Sequence, residues 1–430
     1  MKPLTLILVL TVVLSESVGA AESTEQRFPP PEFGPEYSLP QSQYPAPRAD
    51  VYQYVDIAAL LVALSAASYL ALRRRSRRGL FVLMALSLAY FGFWRKGCVC
   101  PIGAIQNVTL AAFDRSYAVP LVVVAFFALP LAFTLFFGRG FCAAVCPLGG
   151  LQDLVLMHPL KVPGWLSNAL RVLAYVYLGA AILFTATGSA FLVCQYDPFV
   201  PLFRRSGSVS MLTLGACFLV IGLFVGRPYC RFLCPYGVIL GLLSRLSRWR
   251  VKITPEACVR CHLCEETCPF GAIQKPAEEP TAGERTRSRR RLAVLLALLP
   301  ALVVLSGWGV SRLAIPFSRM HAAVRLAERV QAEDTKKVEG DTDASRAFRG
   351  TGRTTAELYA DALGLRRQFV LGGRWLGGFL GLVVAVKLIQ LSIRRRRPDY
   401  EADRGICLAC GRCFDYCPVE HQRRKMTNVE

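Results

Sequence analysis

Long apolar runs alternate with short arginine-rich or cysteine-rich stretches along most of this chain. About 20 apolar residues at 1.5 Å per residue cross the hydrocarbon core of a bilayer, so such runs read as membrane helices. Seven are predicted, at 55–72, 80–94, 118–137, 166–187, 209–225, 292–310 and 375–393. The second is short and needs Arg78 and Arg95 to snorkel at its ends. Ahead of them, residues 1–20 carry one lysine, an apolar core at 4–13 and small residues before Ala21, the pattern of a cleaved signal peptide. A retained anchor helix is the alternative. Residues 21–54 show no usable period and read as an extended extracytoplasmic segment.

The fold class expected is an all-α polytopic membrane protein, with about seven membrane helices after the signal peptide. A membrane domain covers 55–250, and 251–275 is the first half of a cysteine-rich module. A linker and helix occupy 276–310, an extracytoplasmic loop 311–372, another helix 373–393, and the second half-module 394–430. Within 311–372 the pattern suggests a helical patch at 321–330 and a flexible patch near 339–353.

Composition agrees: 53% of the 430 residues are hydrophobic, and the net charge of +21 is clustered. Arginines gather at 73–78, 285–291 and 394–397, each beside an apolar run. Basic clusters there read as cytoplasmic flanks of membrane helices, and nucleic-acid binding is set aside. Counting spans from an external N-terminus puts all three clusters inside, which predicts a bacterial inner-membrane protein in contact with lipid. Arg95, Lys96, Arg204 and Arg205 run against that count.

The chemistry lies in the 16 cysteines. Cys258, Cys261, Cys264 and Cys268-Pro269 form a C-x2-C-x2-C-x3-C-P run, repeated at Cys407, Cys410, Cys413 and Cys417-Pro418. This run holds [4Fe–4S] clusters in two-cluster ferredoxins, its fourth cysteine serving the other cluster. An even number of spans separates the halves, so they can pair on the cytoplasmic side as a split ferredoxin-like module with two [4Fe–4S] clusters. His262 and His421 read as neighbours of the ligands, not as ligands.

A second repeat, G-R-x-x-C-x3-C-P, places Cys142, Cys146, Cys230 and Cys234 on the same side. Prolines that start helices, with Arg139, Arg227 and Arg231, favour thiolates there. Four thiols suit a third iron–sulfur cluster or a tetrahedral metal; structural thiols are the other choice. By the same count Cys98, Cys100 and Cys194 fall outside. They suit a metal or cluster, with Asp197 or a partner as fourth ligand, or a disulfide plus a free thiol. Cys217 reads as a small buried residue in a span. C-x-x-C-H is absent and none of the four histidines lies in a span, so haem is not indicated. Tyr175, Tyr177 and Tyr196 could line a quinone pocket, although interfacial packing is commoner.

The repeated C-x3-C-P elements and the two ferredoxin runs together resemble the NosR/NapH family of polyferredoxin-like membrane proteins, over roughly residues 80–420. The resemblance implies electron transfer between quinone, or a cytoplasmic donor, and a partner oxidoreductase. NosR-type proteins carry an extracytoplasmic domain with FMN on a threonine of a D-x-x-T-G-A-T-like motif. That motif is absent here, which suggests a separate FMN-binding partner. On this expectation the chain is an electron-transfer subunit without substrate chemistry of its own. A thiol-based assembly factor for a metal centre and a redox-sensing membrane regulator are the alternatives.

Overall fold

A computed structural model describes residues 49–97, 100–253, 258–279, 281–393 and 396–427. The expected signal peptide, most of the segment after it, and Cys98 lie outside these residues. The described chain is largely α-helical. Four helices are long and apolar enough to cross a membrane: Val51–Leu72, Gly164–Ala186, Ala282–Ser311 and Thr355–Ser392. Leu121–Phe137, Val209–Gly222 and Pro235–Leu246 are apolar but shorter.

The run expected at 80–94 is one rod of two kinds. An α-helix, Arg77–Ser87, is capped by the Ser76 side chain accepting from Gly79 N–H. It passes without a break into a π-helix, Leu88–Trp94. Pro235–Leu246 was not among the runs expected to be spans. Cys234 and Pro235 start it, and its apolar residues pack beside Leu121–Phe137 and Gly164–Ala186.

Ala282–Ser311 and Thr355–Ser392 pack along their length. Their backbones approach closely because Gly373, Gly377 and Gly381 recur every four residues on one face. A Cβ built on Gly377 would overlap the Ser306 carbonyl oxygen and the Gly307 backbone, so no side chain fits.

Thr355–Ser392 has 38 residues, about 57 Å of helix, far more than a bilayer needs. Its first turns join Ala322–Asp334 and Asp343–Gly350 around Val324, Val330, Phe348 and Leu358. This segment between two expected spans is a small helical subdomain, and Ala322–Asp334 is the helical patch expected at 321–330. Where flexibility was expected, near 339–353, Thr342 and Ser345 form a capping box. Arg349 there pairs with Asp341, Glu333 and Asp334. The ties of Arg349 to Glu333 and Asp334 reach back 16 and 15 residues and leave no periodic trace in the sequence.

The basic clusters also do more than flank helices. Arg75 pairs with Glu420 at 2.9 Å and stacks over Phe414. Arg285 and Arg396 both pair with Glu279, and Arg397 donates to Gln274. The first cluster thus docks onto the second cysteine-rich half through Arg75, the last ties to the first half through Arg397, and Arg285 meets Arg396 at Glu279 in the linker between the halves.

Candidate iron–sulfur sites

The two ferredoxin runs come together although 149 residues separate them. Strand Ile273–Gln274 pairs antiparallel with Glu401–Ala402, in the register Ile273 to Ala402 and Gln274 to Glu401. Asp403 N–H donates to Ala272 at 2.7 Å, and Ala277 pairs with Arg397. The Tyr400 hydroxyl hydrogen-bonds His262 Nδ1.

Two small cavities result. Cys258, Cys261 and Cys264 line the first together with Cys417 of the other run. Cys407, Cys410 and Cys413 line the second together with Cys268. The fourth cysteines are exchanged, as the ferredoxin spacing requires. Locally the exchange rests on left-handed turns at matching positions. Arg260 and Ala409 stand two residues after the first cysteine, His262 and Gly411 four after it, all with positive φ. For the three residues other than glycine this costs about 1 kcal/mol each, and it tightens the loop around the sulfurs. Backbone N–H groups of Ala409, Arg412 and Glu265 point at Cys407, Cys410 and Cys264, and Ala272 N–H reaches Cys268 Sγ at 3.4 Å.

Burial pushes the Cys407 thiol up to about 12 and the Cys264 thiol up to about 11, with neighbouring thiols adding to it. Thiolates gathered in such a place need a positive group to balance them, and metal centres provide one. Two sets of four thiols, each met by amide donors, fit two [4Fe–4S] clusters.

Of Cys142, Cys146, Cys230 and Cys234, it is Cys142 that lies beside the second cavity. Cys142 packs with Phe270, Leu408, Cys268 and Cys407. Cys146, Cys230 and Cys142 sense one another's charge, as do Cys234, Cys230, Cys146 and Cys142. Gly237 N–H donates to Cys234 Sγ at 3.3 Å, and Gln152 Nε2 donates to Cys230 Sγ at 3.2 Å. Arg139 reaches Cys142 Sγ and the Gly405 carbonyl. Arg227, completely buried, donates to the carbonyls of Cys142 and Ala143. Burial pushes the Cys230 thiol up to about 11 against the pull of Arg227.

Asp153 joins this quartet to the second ferredoxin run. It accepts from Arg77 at 2.6 Å and Arg412 at 3.2 Å, and faces Arg227 at 3.4 Å. Arg77 also donates to the Cys410 carbonyl. Burial alone would raise the Asp153 carboxyl, but the guanidiniums of Arg227, Arg77 and Arg412 outweigh it and hold it well below the usual range.

Cys100 lies within electrostatic reach of the quartet, and Cys194 within reach of Cys100. Cys146 and Tyr236 both sense the charge of Cys100. Gln106 holds this corner: Oε1 accepts from Val193 N–H and Cys194 N–H, and Nε2 donates to Thr185. Asp197 Oδ1 accepts from Phe199 and Val200 N–H. The buried hydroxyls of Tyr177 and Tyr229, electrostatic neighbours of Asp197 and Cys234, have no hydrogen-bond partner. Tyr175 and Tyr196 sit apart from that pair: Tyr175 tilts on Phe379, and Tyr196 is exposed. Cys217 is half-buried in Val209–Gly222, and every described cysteine is a free thiol. Among the described residues, no three His, Cys, Asp or Glu side chains are gathered as a single-ion site.

Sequence reasoning passed over Gln106, Gln152 and Asp153. A signal for the glutamines exists: C-P-x-G-x-[I/L]-Q stands at 100–106, 146–152 and 268–274, and 234–237 repeats its C-P-x-G start. In three of the four the glycine N–H points at the motif's own cysteine: Gly103 at Cys100, Gly149 at Cys146 and Gly237 at Cys234. Proline starts the helix, and the tight first turn delivers that N–H.

A family described as "4Fe-4S binding domain" matches residues 119–171 and 208–254, the segments that carry the quartet. A second family of the same description matches 251–274, the first ferredoxin run. The run at 407–417 lies outside both. An uncharacterised protein of Methanocaldococcus jannaschii is 32% identical over 198 residues, 44% of this chain and 80% of that protein. The methylamine utilization ferredoxin-type protein MauN of Methylobacillus flagellatus is 30% identical over 189 residues, 41% of this chain and 62% of MauN. Regulatory protein NosR of Pseudomonas aeruginosa is 27% identical over 220 residues, 47% of this chain and 30% of NosR. No solved structure matches the chain significantly. With the apolar helices, these likenesses place it: the chain is a distant member of the broader NapH/NosR-like superfamily of iron–sulfur-binding, partly membrane-spanning proteins.

Proposed function

We propose that the protein is a membrane electron-transfer subunit that links quinone or a cytoplasmic donor to a partner oxidoreductase, an extracytoplasmic flavoprotein. The observation that carries this reading is the exchange of Cys268 and Cys417 between two four-thiol cavities, with Cys142 of a third thiol quartet packed beside one of them. Clusters held there would supply one-electron steps. The chain's own part is to hold the thiols, shield them from water, donate N–H groups to the sulfurs, and keep the sites next to one another.

In this reading Cys142, Cys146, Cys230 and Cys234 hold a third cluster. The match of a 4Fe–4S family to both segments of the quartet supports that. Cys100 and Cys194, with Cys98 and Asp197, form a further thiol site. The ferredoxin halves face the cytoplasm, and the chain crosses the inner membrane about seven times after a signal peptide. The contacts of Arg75 and Arg397 with the cysteine-rich halves, and of Arg285 and Arg396 with Glu279 in the linker between them, support that orientation, given the positive-inside bias. The ferredoxin-type naming of MauN favours electron transfer; the regulatory naming of NosR keeps a redox-sensing role as the second reading.

The test is anaerobic purification, iron and sulfide counts, and redox-titrated EPR with a quinol and with a reduced cytoplasmic donor. Three clusters that are reduced and reoxidised support the proposal. Two would remove the quartet from it, and protein without iron would remove the whole reading.

A further inference from the structure

A cavity of about 750 Å³ opens beside the quartet, with Cys230, Cys234 and Cys268 in its wall and most of its lining outside the thiol sites. It opens between the start of Gly164–Ala186, the end of Thr355–Ser392 and the turn after Cys268. Its size is that of a pocket for a cofactor or a lipid headgroup.

Its charge is lopsided. Arg139, Arg171, Arg231, Arg245 and Lys387 line it. The two carboxylates in its wall are engaged elsewhere: Glu265 pairs with Lys275, and Asp403 accepts from Gln274, Gly405 and Ile406. Arg171 has no hydrogen bond or ion pair among the described residues; the charges that act on it are first Asp403, which attracts it, and then Arg139, which repels it. Lys387 donates only to the Asn168 carbonyl and lies over the Tyr175 ring. Arg139 is 8% exposed, and its Nε, like that of Arg231, is buried without a partner. Cations crowded in a half-enclosed cavity repel one another and have lost water, a cost that a bound anion removes.

We infer that this cavity binds a phosphate-bearing ligand. Guanidiniums supply the fork that phosphate oxygens take, and Lys387 adds a point charge. Val162, Ala174, Val238 and Leu391 give the ligand's uncharged part an apolar wall. The phosphate belongs either to an acidic phospholipid at the membrane boundary or to a soluble cofactor. In both cases it sits beside Cys230, Cys234 and Cys268.

The test uses full-length, cluster-loaded protein made without oxygen, in phosphatidylcholine nanodiscs with and without phosphatidylglycerol. Riboflavin 5′-phosphate is titrated against the phosphatidylcholine sample. A thermal midpoint raised by phosphatidylglycerol assigns a lipid; saturable binding of the flavin phosphate assigns a soluble ligand. Either response should weaken about tenfold or more in R171Q/K387Q, in line with lost charge-assisted bonds. Iron content should stay unchanged in that variant, and R171K/K387R should recover most of the response. Failure of both probes overturns the proposal. So does equal binding by R171Q/K387Q, as would follow if clusters alone filled the cavity.

Discussion

Asp153 and Arg227 form an ion pair with both side chains out of water, 3.4 Å apart, between the thiol quartet and the second ferredoxin run. Removing one member of such a pair leaves the other charge buried and unmatched, at about 3–5 kcal/mol. D153N is therefore expected to lower the thermal midpoint of the detergent-purified protein sharply and to loosen Arg412 and Arg77 with it. The folded carboxyl titrates below its unfolded value, so its contribution is complete above about pH 4 and is lost as pH falls below that. Wild-type and D153N stability should therefore differ by a constant amount from pH 5 to 8. A difference that changed across that range would contradict the assignment.

Gln152 should tune the quartet without building it. Its amide donates to Cys230 Sγ, and its oxygen fixes Tyr229 N–H. A hydrogen bond to a ligand sulfur favours the more negative, reduced state of a cluster. Q152L is expected to leave iron content intact and shift the quartet-linked EPR midpoint to lower potential. Q106L, whose bonds go to Val193, Cys194 and Thr185, should leave that midpoint in place. Equal shifts in the two variants would show that the effect is not the sulfur bond.

Gly377 lets two long helices touch. Alanine there would drive a methyl into the Ser306 carbonyl and the Gly307 backbone. Forced separation of packed backbones costs about 1–3 kcal/mol. G377A should lower the thermal midpoint, and G377L should prevent stable folding. G364A, with open space at its Cβ in the same helix, is the control and should be neutral or slightly stabilising. A neutral G377A, measured by thermal aggregation in detergent, would contradict the packing.

The cysteine frame was legible because cluster chemistry demands particular spacings. C-x2-C-x2-C-x3-C-P foretold that Cys417 would join Cys258 and Cys268 would join Cys407. The apolar runs foretold Gly164–Ala186 nearly to the residue. What stayed hidden depends on contacts between distant segments. Arg75 reads locally as a solvated flank, and only the fold brings Glu420 to it. Ala322–Asp334 carries a clear helical pattern, but its partner Phe348 lies beyond a polar turn. Gln106 and Gln152 were within reach, since the motif that carries them recurs; the repeat was read only as far as the proline.

The central claim is that the two ferredoxin runs exchange their fourth cysteines. Redox-titrated EPR of C258S, C417S, C407S and C268S, each purified without oxygen, tests it most directly. C417S should perturb the same cluster signal as C258S, and C268S the same signal as C407S. If C417S instead matched C407S, each run would hold its own cluster and the exchanged arrangement would be wrong.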